Sequence, residues 1–104
     1  MQVENLTLYR GDSHTFVIEV SDEAGSPLDL TGSQVNMTIA PKGGYDPFSP
    51  DIGLQGSTIT IDIKPHHTQG ALWRSADYDV QITQGEIVTT VLRGRIDMTK
   101  DITL

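Results

Sequence analysis

The sequence predicts an all-β fold, a small sandwich of two packed sheets. Apolar residues recur with a period of two along most of the chain, the mark of strands with one face on a core and one in water. Segments rich in Gly, Pro and Asp separate these runs at short intervals, as turns do in sandwiches. No apolar pattern of helical period extends beyond about two turns.

Taken in order, Leu6 and Leu8 alternate ahead of a turn at Gly11-Asp12. From His14 to Val20, Phe16, Ile18 and Val20 share one face, while Thr15, Val17 and Glu19 share the other. The stretch Asp22 to Pro27 is a loop, because its Gly and Pro supply turn dihedrals that other residues resist. From Gln34 to Ile39, Val35, Met37 and Ile39 point inward. Pro41 to Gly56, with three prolines and four glycines, shows neither period and is read as a long exposed loop. The next strand is the clearest, since Ile59, Ile61 and Ile63 alternate with Thr58, Thr60 and Asp62. Pro65 to Gly70 suits a single helical turn with Pro65 at its first position. Tyr78, Val80 and Ile82 then alternate with Asp77, Asp79 and Gln81. Thr83 to Glu86 is a hairpin signal, which makes the long run Glu86 to Met98 an antiparallel neighbour. In that run Val88, Leu92, Ile96 and Met98 share one parity, and Gly94 marks a bulge or bend. The expected fold has about six to eight antiparallel strands in one domain spanning residues 1–104.

Composition narrows the function. Aromatics make up only 6% of the chain, so the core must be built from aliphatic strands. With no cysteine, a disulfide, a thiolate nucleophile and a Cys-ligated zinc are all excluded. The net charge of -7 repels phosphate backbones and argues against a nucleic-acid partner. The first residues, Met1-Gln2-Val3-Glu4-Asn5, lack the basic and apolar regions of a secretory signal. No run is apolar enough for a spanning helix, so no membrane partner is expected.

Several local patterns carry residue types that a site could use. Arg10-Gly11-Asp12 matches an adhesion tripeptide, but Gly11-Asp12 also serves simply to turn the chain between two strands. His66-His67 offers two imidazoles, yet adjacent residues seldom point at one ion and a third ligand is not evident. Asp77, Asp79 and Asp62 could gather as carboxylates for calcium or acid-base work, although strand alternation alone produces that spacing. No serine lies in a nucleophile-elbow frame, and no phosphate-cradling glycine pattern occurs. The expectation is therefore no catalytic residue, no metal and no cofactor. Trp73 is read as a core plug or an exposed anchor, with the core favoured. Tyr45 and Phe48, in the long loop, are the better candidates for an exposed contact, together with Ile102 and Leu104 at the C-terminal end.

The order of the turn signatures carries a resemblance. Tyr9-Arg10-Gly11-Asp12 precedes a strand, and Asp22-Glu23-Ala24-Gly25-Ser26-Pro27-Leu28-Asp29-Leu30-Thr31-Gly32 precedes the next. Trp73, Ala76-Asp77-Tyr78-Asp79-Val80 and Leu92-Arg93-Gly94-Arg95-Ile96 follow. Together, from about Leu8 to Thr103, these resemble small immunoglobulin-like β-sandwich modules of tailed bacteriophages. The N-terminal domains of baseplate upper proteins and related tail or fibre-attachment proteins are the nearest of that group. The resemblance implies a non-catalytic structural protein of the virion, in tail, baseplate or neck, that docks neighbouring virion proteins and copies of itself as a homo-oligomer. It also implies that Leu28 and Leu30 fold their loop onto the edge of the core. A carbohydrate-binding or adhesion module, using Trp73 or Tyr45 with Asp77 and Asp79, is the alternative.

Overall fold

The computed structural model describes residues 2–22 and 24–99. Among the described residues the elements are β1 (Gln2–Val3), β2 (Leu6–Tyr9), β3 (His14–Glu19), β4 (Gln34–Pro41), β5 (Asp51–Gln55), β6 (Thr58–Ile63), α1 (Pro65–Thr68), β7 (Ser75–Gln84) and β8 (Ile87–Thr99). The larger sheet has the order β1-β8-β7-β4, with β2 also on β8, and the smaller has the order β3-β6-β5. The all-β sandwich expected from the alternation is what the chain forms.

The core lies between the sheets and is aliphatic, as the composition requires. Met37, Ile39, Val80 and Ile96 from the larger sheet meet Ile59, Ile61 and Ile63 from the smaller, all buried. Each such side chain contributes roughly 1.5–3 kcal/mol by leaving water. Leu30 adds to this core from the connection between β3 and β4, fully buried, with Leu28 packed partly against it.

Four sequence expectations need correction. The Pro41 to Gly56 stretch is not all loop: Asp51–Gln55 forms β5 against β6, and Phe48 pairs with Ile39 of β4. Ile52 and Leu54 do alternate, but over too few residues to stand out beside three prolines. The strands are not all antiparallel, since β1 and β2 run parallel to β8. The bulge falls where Val80 and Gln81 face β8, not at Gly94, which stays in register opposite Tyr78. Finally, Val88 does not share the inward face of Leu92, because the inserted residue at the bulge reverses the phase. Val88 is 57% exposed, while Leu92 is buried.

Gly94 has a different task. Between β1 and β2 the chain arches over it: Glu4 donates its N–H to the Arg93 carbonyl, and the Asn5 side chain accepts from the Arg95 N–H. The Glu4 carbonyl then faces the sheet interior, where the Tyr78 hydroxyl donates to it at 2.7 Å. A Cβ on Gly94 would overlap that carbonyl oxygen and sit 2.6 Å from its carbon.

Burial first, and then the Glu4 charge, push the Tyr78 phenol up to about 12 from an ordinary value of 10.0. An acid with a raised folded pKa favours the fold while it stays protonated. That contribution is complete below about pH 10 and is lost as pH rises through about 12. Tyr78→Phe is expected to remove this alkaline step from the stability profile, at a cost near 1 kcal/mol at neutral pH. Urea denaturation across the alkaline range measures both; an unchanged step in the variant would assign it to another group.

Candidate functional site

The described surface has an open cleft of about 450 Å³ at the end of the sandwich where β4 and β6 finish and β7 begins. Tyr45, Phe48, His66, His67, Leu72 and Trp73 line it. Each is placed by a local cause. Phe48 is fixed by reciprocal backbone bonds to Ile39, its N–H donating at 2.9 Å and its carbonyl accepting at 2.8 Å. Pro65 opens α1 at a position where a missing N–H costs nothing, and Gly70 leaves it with φ at 78°. The His67 ring folds back so that Nδ1 accepts the Lys64 N–H at 2.8 Å. Thr68, fully buried, anchors this turn by accepting the Gly11 N–H at 2.9 Å.

These anchors stack the rings. Phe48 lies on His67 with centroids 5.9 Å apart and 18° between planes, and meets Trp73 at 6.3 Å with a 41° tilt. Burial lowers the His67 pKa most, the neighbouring His66 and Lys64 add to that, and Asp51 opposes it. At neutral pH His67 is therefore an uncharged ring suited to stacking, with Nδ1 already occupied as an acceptor. Asp46 and Gln69 supply polar groups around the apolar floor. Such a cleft can receive an apolar or aromatic side chain and orient it with a few polar contacts.

The residues singled out from sequence are placed as follows. Phe48 is half-buried on the cleft floor, and Tyr45 stands beside it, 42% exposed. Ile102 and Leu104 lie outside the described residues. Trp73 is only 5% exposed and serves as core plug, which removes it as a stacking platform for a sugar. The Arg10-Gly11-Asp12 segment is the turn from β2 to β3, with Gly11 at φ 80°. The three carboxylates are not gathered: Asp62 accepts from Thr15 on the smaller sheet, while Asp77 and Asp79 face Arg95 and Arg93 across β8. Asp77 also lies 3.9 Å from Lys42. Among the described residues no group of three potential metal ligands converges. The histidine pair and Leu72 joined the cleft only in three dimensions; the Pro65 turn ahead of Trp73 was the signal that they lie near the core's end.

Trp73 should resist acrylamide quenching in the intact protein, with a quenching constant several-fold below that of a free indole. Phe48→Ala should expose it, raising that constant and costing about 2 kcal/mol of stability, because a half-buried ring loses its packing. Equal quenching in both proteins would show that Phe48 does not cover the indole.

The fold and cleft thus define a β-sandwich with an aromatic-floored cleft at one end. No protein-family model and no curated protein matches the chain. Among solved structures, it is similar to one described as the N-terminal domain of phage TP901-1 ORF48, with a TM-score of 0.56 and 11% identity. The match covers 96% of this chain and 100% of that domain. At such low identity the likeness establishes a shared fold.

Proposed function

We propose that the chain is a structural, non-catalytic component of a tailed-phage particle, in its tail, baseplate or neck. The observation that carries this reading is the end-to-end likeness to a phage domain, found on a sequence whose turn signatures resemble the same kind of module. Docking of neighbouring virion proteins is its mechanism. The cleft floored by Phe48 and rimmed by Tyr45 takes an apolar side chain of a neighbour, and repetition around a ring makes weak contacts add.

Quantitative mass spectrometry of purified particles from the source phage or prophage tests this. A fixed ratio to the major capsid protein, as ring symmetry demands, is the expected result. Absence of the polypeptide from particles overturns the reading.

A further inference from the structure

The turn that walls the cleft is tied by a side chain whose bonding depends on acidity. Lys64 caps α1, and His67 holds the third position of the turn. Glutamate or glutamine is usual at that position, where the side chain reaches back to accept the N–H of the capping residue. Here an imidazole takes that place. The His67 N–H donates to the Lys64 carbonyl at 3.0 Å, and its Nδ1 accepts the Lys64 N–H at 2.8 Å.

A glutamine amide accepts at every pH, whereas an imidazole nitrogen accepts only while the ring is neutral. A second ring proton would set Nδ1–H against the Lys64 N–H, two donors with nothing between them to accept. Among the described residues Nδ1 makes no other hydrogen bond. His14 differs in this respect. Its Nε2 accepts the Tyr9 N–H at 3.0 Å, but the Tyr9 carbonyl lies 3.4 Å away and can receive a proton from the charged ring.

The surroundings of His67 also favour the neutral ring. Burial opposes its charge most, the His66 ring stands 4.2 Å away, and Lys64 brings an ammonium group. Asp51 of β5 pulls the other way, and Asp46 adds a carboxylate to the cleft lining. The net effect lowers the pKa from the ordinary 6.5. The neutral ring's contribution to stability is therefore complete above about pH 6.5 and is lost as pH falls through the lower folded value.

The consequence reaches the cleft floor. His67 stacks on Phe48, and Phe48 in turn meets Trp73. A ring that turns away to hydrate its charge leaves one face of Phe48 bare and loosens the cover over the indole.

We propose that His67 is an acid-operated latch on the cleft: a proton taken from water onto Nδ1 breaks the Lys64 cap, swings the ring off Phe48 and opens the floor. This deepens the docking reading and rests on it for one point, that opening releases the neighbour's side chain. The latch itself is a property of the isolated chain.

Trp73 is the single tryptophan, so acrylamide quenching of its fluorescence reports the floor directly. In the purified full chain the quenching constant should rise several-fold from about pH 8 to about pH 5, while the far-UV circular dichroism of the strands holds. His67→Gln keeps an acceptor that does not titrate, and should quench as weakly in acid as at neutral pH. His66→Gln should keep the rise and move its midpoint to higher pH, because one opposing neighbour is gone. His14→Gln should leave the response unchanged. By NMR the Lys64 amide and the His67 ring of the wild-type chain should titrate with one midpoint, a readout that needs no variant to fold. A rise that persists in His67→Gln overturns the proposal, as do a wild-type chain with no rise, separate NMR midpoints, or loss of the strand signal over the same range. Particle mass spectrometry decides the virion reading separately, so failure of one leaves the other standing.

Discussion

Gly94→Ala is expected to lower stability by about 3 kcal/mol and the melting temperature by about 15 °C. The methyl group would occupy the space of the Glu4 carbonyl, and Tyr78 Cε1, 3.1 Å away, blocks the other direction. Relief requires the arch at Glu4 and Asn5 to lift, which breaks the Tyr78 hydroxyl bond and the Glu4 N–H bond to Arg93 together. The cost is thus an overpacking strain of roughly 1–3 kcal/mol plus about 1 kcal/mol for a buried acceptor left unpaired. Backbone freedom plays no part, since alanine suits a strand better than glycine does. Differential scanning calorimetry measures the shift. A melting point within about 2 °C of the parent would show that the N-terminal arch yields freely and contributes little.

Leu30→Ala is expected to cost about 3–4 kcal/mol, as much as a truncation in a central strand. Leu30 belongs to no strand, yet it is fully buried, and its backbone is held on both sides. Its N–H donates to the Gly56 carbonyl at 3.1 Å, and its own carbonyl accepts from Ser33 at 2.9 Å. Beside it the Asp29 carboxylate accepts from both the side chain and the backbone N–H of Thr31, bonds that lower its pKa. The connection is therefore a rigid plug, with little freedom to collapse into the cavity that the alanine leaves. Urea denaturation should show a lower midpoint with an unchanged slope. Leu28→Ala, at a half-buried site nearby, should cost about 1 kcal/mol. Equal losses at both positions would mean that the connection packs as a whole and that Leu30 holds no special place.

How much of this was legible depends on the range of the cause. The isoleucines of β6 announced their strand because alternation is local, whereas Leu30 was placed only through the family resemblance that its turn signature helps to carry. The short β5 was hidden, since Ile52 and Leu54 become a strand only when β6 is present to pair with them. The phase change at Val88 was hidden for the same reason: the extra residue is defined by the register with β7, and one strand's sequence does not carry it. Tyr45 and Phe48 were singled out as aromatics in a loop, but the cleft needed His67 and Trp73 as well. Those lie at least nineteen positions further on from Phe48 and arrive through sheet pairing. Gly94 drew notice as an oddity within a strand, whereas its partner, Glu4, gave no hint at all.

The parallel seating of β1 and β2 on β8 also fixes when the molecule can be finished. Asn5 and Arg95, which share a hydrogen bond, are 90 positions apart. On the ribosome the first strands emerge early and must wait, unpartnered, until β8 has been synthesised. Closure of so long a segment is slow, and domains dominated by such distant pairings fold in milliseconds to seconds. β8 acts as the seam of the fold. A chain halted before β8 would carry both its leading strands and the β8-facing edge of β7 bare, and would be a target for chaperones or proteases.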